Sequence, residues 1–430
     1  MIRTSQKSRT YHDPIHGAVH LNAKDPIESL LIQLVDSSEF QRLRRIRQLD
    51  VANLTFHGAE GSRFTHALGV LAVARRVFDR LIAENPELAS YRALVLCAAL
   101  LHDLGHGPFS HASEEVFHFD HEQWTMRLIR EDTKVHQLLC SFDPELPEQI
   151  CQLLLKQAPL PLLAQLISGQ LDCDRLDYLL RDSYFTGAQY GHLDLDRIIN
   201  ALAYEPESGM LVVRGRKGLV AIEHYLVVRY FMYSQVYNHP KNLCARLVLA
   251  SIFKRAAVLF KQGTLEADAV LAAWLGQLPS AWTLDDYLHA DDVVFSYHIQ
   301  LWSRTDDPLL ADLCTRYLDR NLPKAWEVTN LRSEQRLGLL DRLQAKAKSL
   351  GYDPDSHFGL VTSQAKGYSL YDRGIFLQTD EGLIEIAEAS SLVKSLILTN
   401  ARVWLVYPRE VHHEVKRLIE LQNMMTGATN

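Results

Sequence analysis

The sequence predicts a mainly α-helical protein with a smaller α+β region towards its C-terminal end. Two observations carry this expectation. Apolar residues recur at intervals of three and four through most of residues 1–265, which is the period of a helix. Alternating runs of strand type are sparse early and cluster late.

The elements follow in order. "GAVHLN" is short and alternating, a strand candidate. Between Asp25 and Asp50 the apolar positions Ile27, Leu30, Leu31, Leu34, Val35, Phe40, Leu43, Ile46 and Leu49 keep the helical period. The "VDSSEF" stretch divides them into two helices, because Asp-Ser-Ser offers an N-cap. Further helices are expected near 66–84, 91–104, 121–131, 146–156, 160–182, 194–202, 219–237 and 242–262. "GMLVVRGRKGL" reads as a hairpin turning on Gly-Arg-Lys-Gly. Past the transition at "GQLPSAWTLDD", "GYSLYDRGIFLQTDEGLIEI" holds two alternating runs about Asp-Glu-Gly, and "ARVWLVYP" adds a strand. The expected division is a helical domain over 1–265 and an α+β region over 266–430, the latter serving oligomerisation or regulation.

Composition bounds the function. The chain has 430 residues, 47% of them hydrophobic, and a formal net charge of −7 from 45 basic and 52 acidic side chains. That balance argues against a surface built wholly for nucleic acid or anionic membrane. The six cysteines form no C-x-x-C pair and mostly sit in apolar runs, as buried thiols in a reducing compartment do. No apolar h-region opens the sequence, and no apolar stretch approaches the ~20 residues that span a bilayer. A cytoplasmic protein without membrane partners is expected.

The chemistry gathers in four short places: "SRFTHALGV" with His66; "HDLGHGPFSH" with His102, Asp103, His106 and His111; "FHFDHEQW" with His118, His121 and Glu122; and "QLDCDRLDYLLRDSYFTG" with Asp172, Asp174, Asp177 and Asp182. Imidazoles and carboxylates from separate helices suit a divalent ion such as Mn, Mg, Fe, Zn or Ni, with positions left open for water or phosphate. Neighbouring His102 and Asp103 point about 100° apart on a helix. They converge only where the helix ends, and Gly105, Gly107 and Pro108 supply that end. Taken singly, each motif has a bland reading. His66 alone is a partnered core histidine, Asp177–Arg181 an i, i+4 pair on a charged face, and Ser110 an N-cap with Glu114 as first-turn charge.

Together, the order His66, His102-Asp103, Asp174 resembles the metal signature of HD-domain phosphohydrolases. "DPIHGAVHL", "SSEFQRLRRIRQL", "SRFTHALGV", "HDLGHGPFSH" and "DCDRLDYLLRDSYFTG" resemble the deoxynucleoside triphosphate triphosphohydrolases of that family, over roughly residues 9–265. The resemblance implies an HD helical core and cleavage of a dNTP to a deoxynucleoside and inorganic triphosphate. It implies metal ligation by His66, His102, Asp103 and Asp174. His111 becomes the candidate general acid, with Glu114 and His121 beside it, and His106 a candidate to neutralise phosphate. Arg63, Arg175 and Arg229 match phosphate-binding positions. Asp182 and Gln48 match positions that bond the 3′-hydroxyl, and Leu49, Tyr178 and Tyr237 the wall that excludes a 2′-hydroxyl.

Animal members assemble into tetramers around regulatory nucleotides. Asp36, Gln41 and Arg44 match part of that pocket, so a regulatory nucleotide and a homo-oligomer (dimer or tetramer) are implied. The sequence departs from the family at Tyr233, where the animal enzyme has histidine, at Asp50, where glycine is usual, and at His12, where asparagine is usual. Two alternatives stay open. One is an HD-type phosphodiesterase, nuclease or nucleotidase, with Arg42, Arg44, Arg45 and Arg47 tracking a nucleic-acid strand; these four read otherwise as a solvated basic face. The other is a nucleotide-binding regulatory module without catalysis.

Overall fold

The computed structural model describes residues 7–370 and 374–426. Its helices dominate, as expected. Asp25 caps the helix Pro26–Val35 by accepting from the backbone of Ile27 and Glu28, and Ser37 caps the short helix Ser38–Arg42, so the chain does divide at "VDSSEF". The stretch expected as one helix over 160–182 is two, Pro161–Ser168 and Cys173–Thr186. The break falls at Gly169, and Asp172 caps the second helix by accepting from Arg175 N.

Among the described residues nine strands form three small sheets. β1 (Arg9–Asp13) and β2 (Gly17–Leu21) make an antiparallel hairpin. β3 (Leu202–Glu205) and β4 (Met210–Arg214) make another. β5 (Lys324–Glu327), β6 (Gly359–Ala365), β7 (Phe376–Thr379), β8 (Gly382–Glu385) and β9 (Asn400–Tyr407) follow. One sheet runs β3-β4-β7-β8 and another β5-β9-β6, which leaves β6 at an edge.

The hairpin expected at Gly-Arg-Lys-Gly does not form. Gly215, at φ +65°, turns the chain out of β4 and directly into the helix Gly215–Met232. The apolar positions after it follow the helical period, so the turn residues become a first helical turn. β4 finds its partners elsewhere, antiparallel to β3 and parallel to β7. The two runs about Asp-Glu-Gly do pair, as β7 and β8; Tyr371, Asp372 and Arg373 of that stretch lie outside the described residues.

The core is divided in three. The largest cluster joins the N-terminal helices to the helix Gly215–Met232 and to Tyr368, Leu377 and Val393. A second packs Val51, Phe109 and Trp124 against residues running from Ala245 to Leu322, and a third closes the β5-β9-β6 sheet. The expected boundary at residue 265 therefore falls inside the second cluster, and the C-terminal part is interleaved with the helical part through β4 and β7.

Two helices form the floor of the site. Arg63–Glu84 packs on Cys173–Thr186 so closely that a Cβ on Gly69 would stand 2.0 Å from Asp177 Oδ1 and 2.3 Å from Arg181 Nη2. Those atoms belong to a buried ion pair with no room to move. Gly69→Ala is expected to cost about 3 kcal/mol, at the upper end of overpacking. A thermal melt by circular dichroism should show the drop as several degrees; an unchanged melting temperature would count against this packing.

Candidate active site

The chain reaches the site by ending a helix inside the core. The helix Arg92–Leu101 is buried along almost its whole length and stops at His102. The next residues turn back because Gly105 lies against the neighbouring helix His121–Arg130, where a Cβ would meet Thr125 N at 2.2 Å. Thr125 straps the bend: its hydroxyl donates to the carbonyl of His102 and accepts from Gly105 N (3.1 and 2.8 Å). Past the bend, Phe109 and Ser110 take left-handed φ values of 55° and 47°, which side chains rarely adopt. Asp292 holds the first by accepting from Phe109 N (2.7 Å). Ser110 does not cap the helix that it precedes. Its hydroxyl donates instead to the carbonyl of Arg47 (2.7 Å) and accepts from Arg63 Nε (3.0 Å).

This bend brings the four expected ligands together. His66 Nε2 is 3.0 Å from Asp174 Oδ1 and 3.5 Å from Asp103 Oδ2. His102 Nε2 is 3.4 Å from Asp103 Oδ1 and 3.7 Å from Asp174 Oδ1. Both imidazoles are fixed from behind. His102 Nδ1 donates to the carbonyl of Ala99 (2.9 Å), and His66 Nδ1 donates to Asp177 Oδ2 (2.7 Å). The protons thus sit on Nδ1, and each Nε2 lone pair aims inward. His102 Nε2 is buried with no hydrogen-bond partner among the described residues. Ligand atoms of His66, His102 and Asp103 all lie within 4.8 Å of one another, Asp174 stands beside both imidazoles, and this set, with its orphaned nitrogen, fits a divalent cation. The carboxylates make this spot favour positive charge: burial opposes a charge on His66, yet its hydrogen bonds to Asp174 and Asp177 push its pKa up to about 10, and a cation would take the place of the Nε2 proton.

Asp177 was read from spacing as half of an exposed i, i+4 pair. It is fully buried instead. Its carboxylate accepts from His66, from His16 Nε2 (2.6 Å) and from Arg181 Nε and Nη2 (2.8 and 2.9 Å), and Arg181 also donates to Asp13 (2.9 Å). Asp13, His16 and Arg181 are thus the positioning residues that spacing alone did not show. "DPIHG" carried a signal for the first two, since a histidine and an aspartate in a tight turn are both available to bond a neighbour.

Beside the ligands stands a second cluster. Glu114 lies 3.1 Å from His111 Nδ1, 3.0 Å from His121 Nδ1 and 3.4 Å from His106 Nδ1. Burial would raise its pKa, but the three histidines hold its carboxyl well below the usual range. His106 stacks on His121 at 3.8 Å and reaches Asp103 Oδ1 at 3.4 Å. Burial, then Arg63 and His121, push His106 down to about 3. His121 moves the other way: burial lowers its pKa, and Glu114 more than restores it. His111 is the exposed member, at 56% of its side chain.

A cavity of about 390 Å³ joins these groups to the expected sugar wall. Gln48, Leu49, Arg63, Tyr178, Asp182 and Tyr237 all line it. Tyr237 Oη donates to Asp182 Oδ2 (2.9 Å), and the Tyr178 and Tyr237 rings meet edge to face at 5.9 Å. Tyr178 Oη and Gln48 Oε1 are buried without hydrogen-bond partners among the described residues. Burial dominates at Asp182 and raises it to about 7 despite the Tyr237 hydrogen bond. Of the three expected phosphate arginines only Arg63 lines the cavity; it bonds Asp103 and Ser110. Arg175 ion-pairs with Asp172, and Arg229 donates to Gln170 Oε1 (2.9 Å) beneath Tyr233. Each of these two keeps a buried Nε without a hydrogen-bond partner among the described residues.

The segment after Val35 was expected to hold a regulatory nucleotide or a solvated basic face. Asp36 pairs with Arg9, Arg44 Nε donates to Gln41 Oε1 (2.8 Å), and the Arg44 guanidinium lies 3.5 Å over the Phe64 ring. Arg42 is not solvated. It is 1% exposed and donates to the carbonyls of Ala290 and His106 (3.0 and 2.9 Å). Arg45 and Arg47 pair with Asp291, Glu60 and Asp292. The four arginines therefore do not form one basic track for a nucleic-acid strand.

No helix among the described residues is long and apolar enough to cross a membrane. Comparison with known proteins places the site in a lineage. Residues 63–182 match the HD domain, and residues 193–273 match the HD associated region. The uncharacterized protein YwfO of Bacillus subtilis is 38% identical over 402 residues, which is 91% of this chain and 89% of that protein. The deoxynucleoside triphosphate triphosphohydrolase SAMHD1 homolog of Dictyostelium discoideum is 28% identical over 271 residues, 60% of this chain and 51% of that one. A crystallised phosphohydrolase of Bacteroides thetaiotaomicron superposes with a TM-score of 0.82 at 28% identity, over 94% of this chain and all 100% of its own. The HD match begins at Arg63 and ends at Asp182, so it encloses every residue of the histidine–aspartate cluster. This chain belongs to the HD-domain family of phosphohydrolases.

Proposed function

We propose that the protein hydrolyses deoxynucleoside triphosphates to a deoxynucleoside and inorganic triphosphate. One observation carries this reading: a single cavity is lined both by His66, Asp103 and Asp174 and by Gln48, Leu49, Tyr178, Asp182 and Tyr237. A simple phosphomonoesterase has no need of that second wall. The resemblance of the HD core to enzymes named for this reaction supports the same reading.

His66, His102, Asp103 and Asp174 would hold the divalent cation. Such an ion lowers the pKa of water and polarises a phosphoryl oxygen. The chain's own residues do the rest. Arg63, fixed between Asp103 and Ser110, places positive charge beside the α-phosphate. Arg175 and Arg229 supply charge behind it. Water attacks the α-phosphorus, the bond to the 5′-oxygen breaks, and His111 gives that oxygen its proton, with Glu114 orienting the ring. Asp182 and Gln48 receive the 3′-hydroxyl. Leu49, Tyr178 and Tyr237 stand where a 2′-hydroxyl would be buried without a partner. We extend the proposal to a homo-oligomer, a dimer or tetramer, with a regulatory nucleotide at Asp36, Gln41 and Arg44; sedimentation with and without added nucleotide tests it.

The direct test incubates the protein with each dNTP and each NTP in the presence of Mn²⁺ or Mg²⁺ and identifies products by phosphorus NMR. Triphosphate from dNTPs, with little from NTPs, is the expected outcome. Pyrophosphate, orthophosphate or no turnover would refute it. The Asp182 shift adds a pH dependence. Its carboxyl is protonated below about 7 and becomes a full hydrogen-bond acceptor above it. KM for the dNTP should therefore fall as pH rises from 6 to 8, by up to about tenfold, the rise in the ionised fraction across this range, which one hydrogen bond to a charged group is strong enough to express. In Asp182→Asn this component should vanish, and a KM profile identical to wild type would exclude Asp182 from sugar binding.

A further inference from the structure

The catalytic cavity does not end at the sugar wall. It shares Asn238, Arg246 and Gln364 with a second cavity of about 450 Å³, which lies between the helix Pro240–Lys261 and the edge strand β6. The chain steps into this end twice, from Leu49 to Asp50 and from Tyr237 to Asn238. On the dNTP reading, this is the end that faces the base.

The groups at this end are held and partly uncommitted. Asp50 sits at φ 46°, an unusual conformation for aspartate, and accepts from Arg246 Nε and Nη2 (2.9 and 2.6 Å). That grip leaves Arg246 Nη1 without a partner among the described residues. Asn238 Nδ2 donates to the carbonyl of Gln364 (2.7 Å), which leaves the Asn238 side-chain oxygen as an acceptor. The Gln364 side chain is exposed at the mouth. Glu115 lines the second cavity near Arg246. This end thus offers a fixed guanidinium donor beside amide and carboxylate acceptors.

Resting on the dNTP reading above, we propose that Arg246, positioned by Asp50, reads the base together with Asn238, Gln364 and Glu115, and that the set selects guanine. Guanine presents O6 and N7 as acceptors, the preferred targets of arginine, and N1–H and the 2-amino group as donors to the amide and carboxylate oxygens. Adenine places its 6-amino donor against the guanidinium, where two donors face each other. Cytosine does the same with its 4-amino group, and thymine has no N7. Glu115 also repels a triphosphate that enters in the wrong orientation.

The test measures kcat/KM for dGTP, dATP, dCTP and TTP, each alone, with wild type, Arg246→Met and Gln364→Ala. Wild type should favour dGTP over dATP by about tenfold. Arg246→Met should bring that ratio close to one, mainly through loss on dGTP. Gln364→Ala leaves the Asp50–Arg246 pair in place and should lower the ratio less. Equal kcat/KM on all four substrates in wild type, or the same proportional loss on every substrate in both variants, overturns the proposal. Should no dNTP turn over, the dNTP reading itself has failed, and equilibrium dialysis of dGTP and dATP decides the base reading separately. Tighter dGTP binding that Arg246→Met abolishes sustains it; equal or absent binding ends it.

Discussion

His102→Ala is expected to lose bound metal and catalytic turnover together. The imidazole is fixed by its bond to the Ala99 carbonyl, and its buried Nε2 has no partner among the described residues. Removal leaves one histidine and two carboxylates, and opens the bend where the helix Arg92–Leu101 ends. A metal supplies several kcal/mol of transition-state stabilisation, so its loss should lower kcat by about 10³ or more. Metal content by plasma mass spectrometry and kcat on the same preparation make the check. The fold should survive, because the substitution removes a side chain and leaves no buried charge unpaired. A variant with wild-type metal content and more than a tenth of the activity would remove His102 from the ligand set.

Asp177→Asn should have the largest effect on stability. The carboxylate has no solvent contact and accepts from three side chains, one of them a fully buried arginine. An asparagine leaves the Arg181 charge half-compensated by Asp13 alone. Breaking a buried pair from one side costs about 3–5 kcal/mol. His66 also loses the acceptor that fixes its tautomer, for which a tenfold to hundredfold weaker metal affinity is the usual scale. Chemical denaturation reports the first effect and metal titration the second. The sign with pH follows from the same contacts. Burial would raise the Asp177 pKa, but Arg181 and then His16 and His66 hold it well below the usual carboxylate value. Its contribution is therefore complete above about pH 4 and is lost on further acidification. A denaturation midpoint of the variant equal to wild type at pH 7 would contradict the role given to Asp177.

The grouping of the proposed ligands was legible because it is written in short motifs. A histidine-aspartate pair followed by Gly105, Gly107 and Pro108 implies a helix that ends at the pair, and the helix Arg92–Leu101 ends there. Asp177 was not legible, because i, i+4 spacing is the same on a wet face and a dry one. Only the packing at Gly69 distinguishes them. The same limit misread Arg42, whose neighbours suggest a basic surface while its own side chain is captured by two carbonyls. The hairpin at Gly-Arg-Lys-Gly failed for a different reason. β4 pairs in parallel with β7, and no local pattern announces a partner so distant in the chain. Arg246 and Gln364 share that difficulty, since a cavity wall drawn from a helix and a remote strand has no motif.

The bond from Asn238 to the Gln364 carbonyl, with β7 laid beside β4, has a consequence in time. A ribosome delivers His66, His102, Asp103 and Asp174 early. Gln364 follows roughly 190 residues later, about 10–40 s at ordinary rates of synthesis. The helices that carry the ligands contact one another without the last third of the chain. A growing chain thus gains the proposed ligands well before it gains the far wall of the cavity. The order of synthesis separates the gathering of the histidine–aspartate cluster from the closing of the cavity.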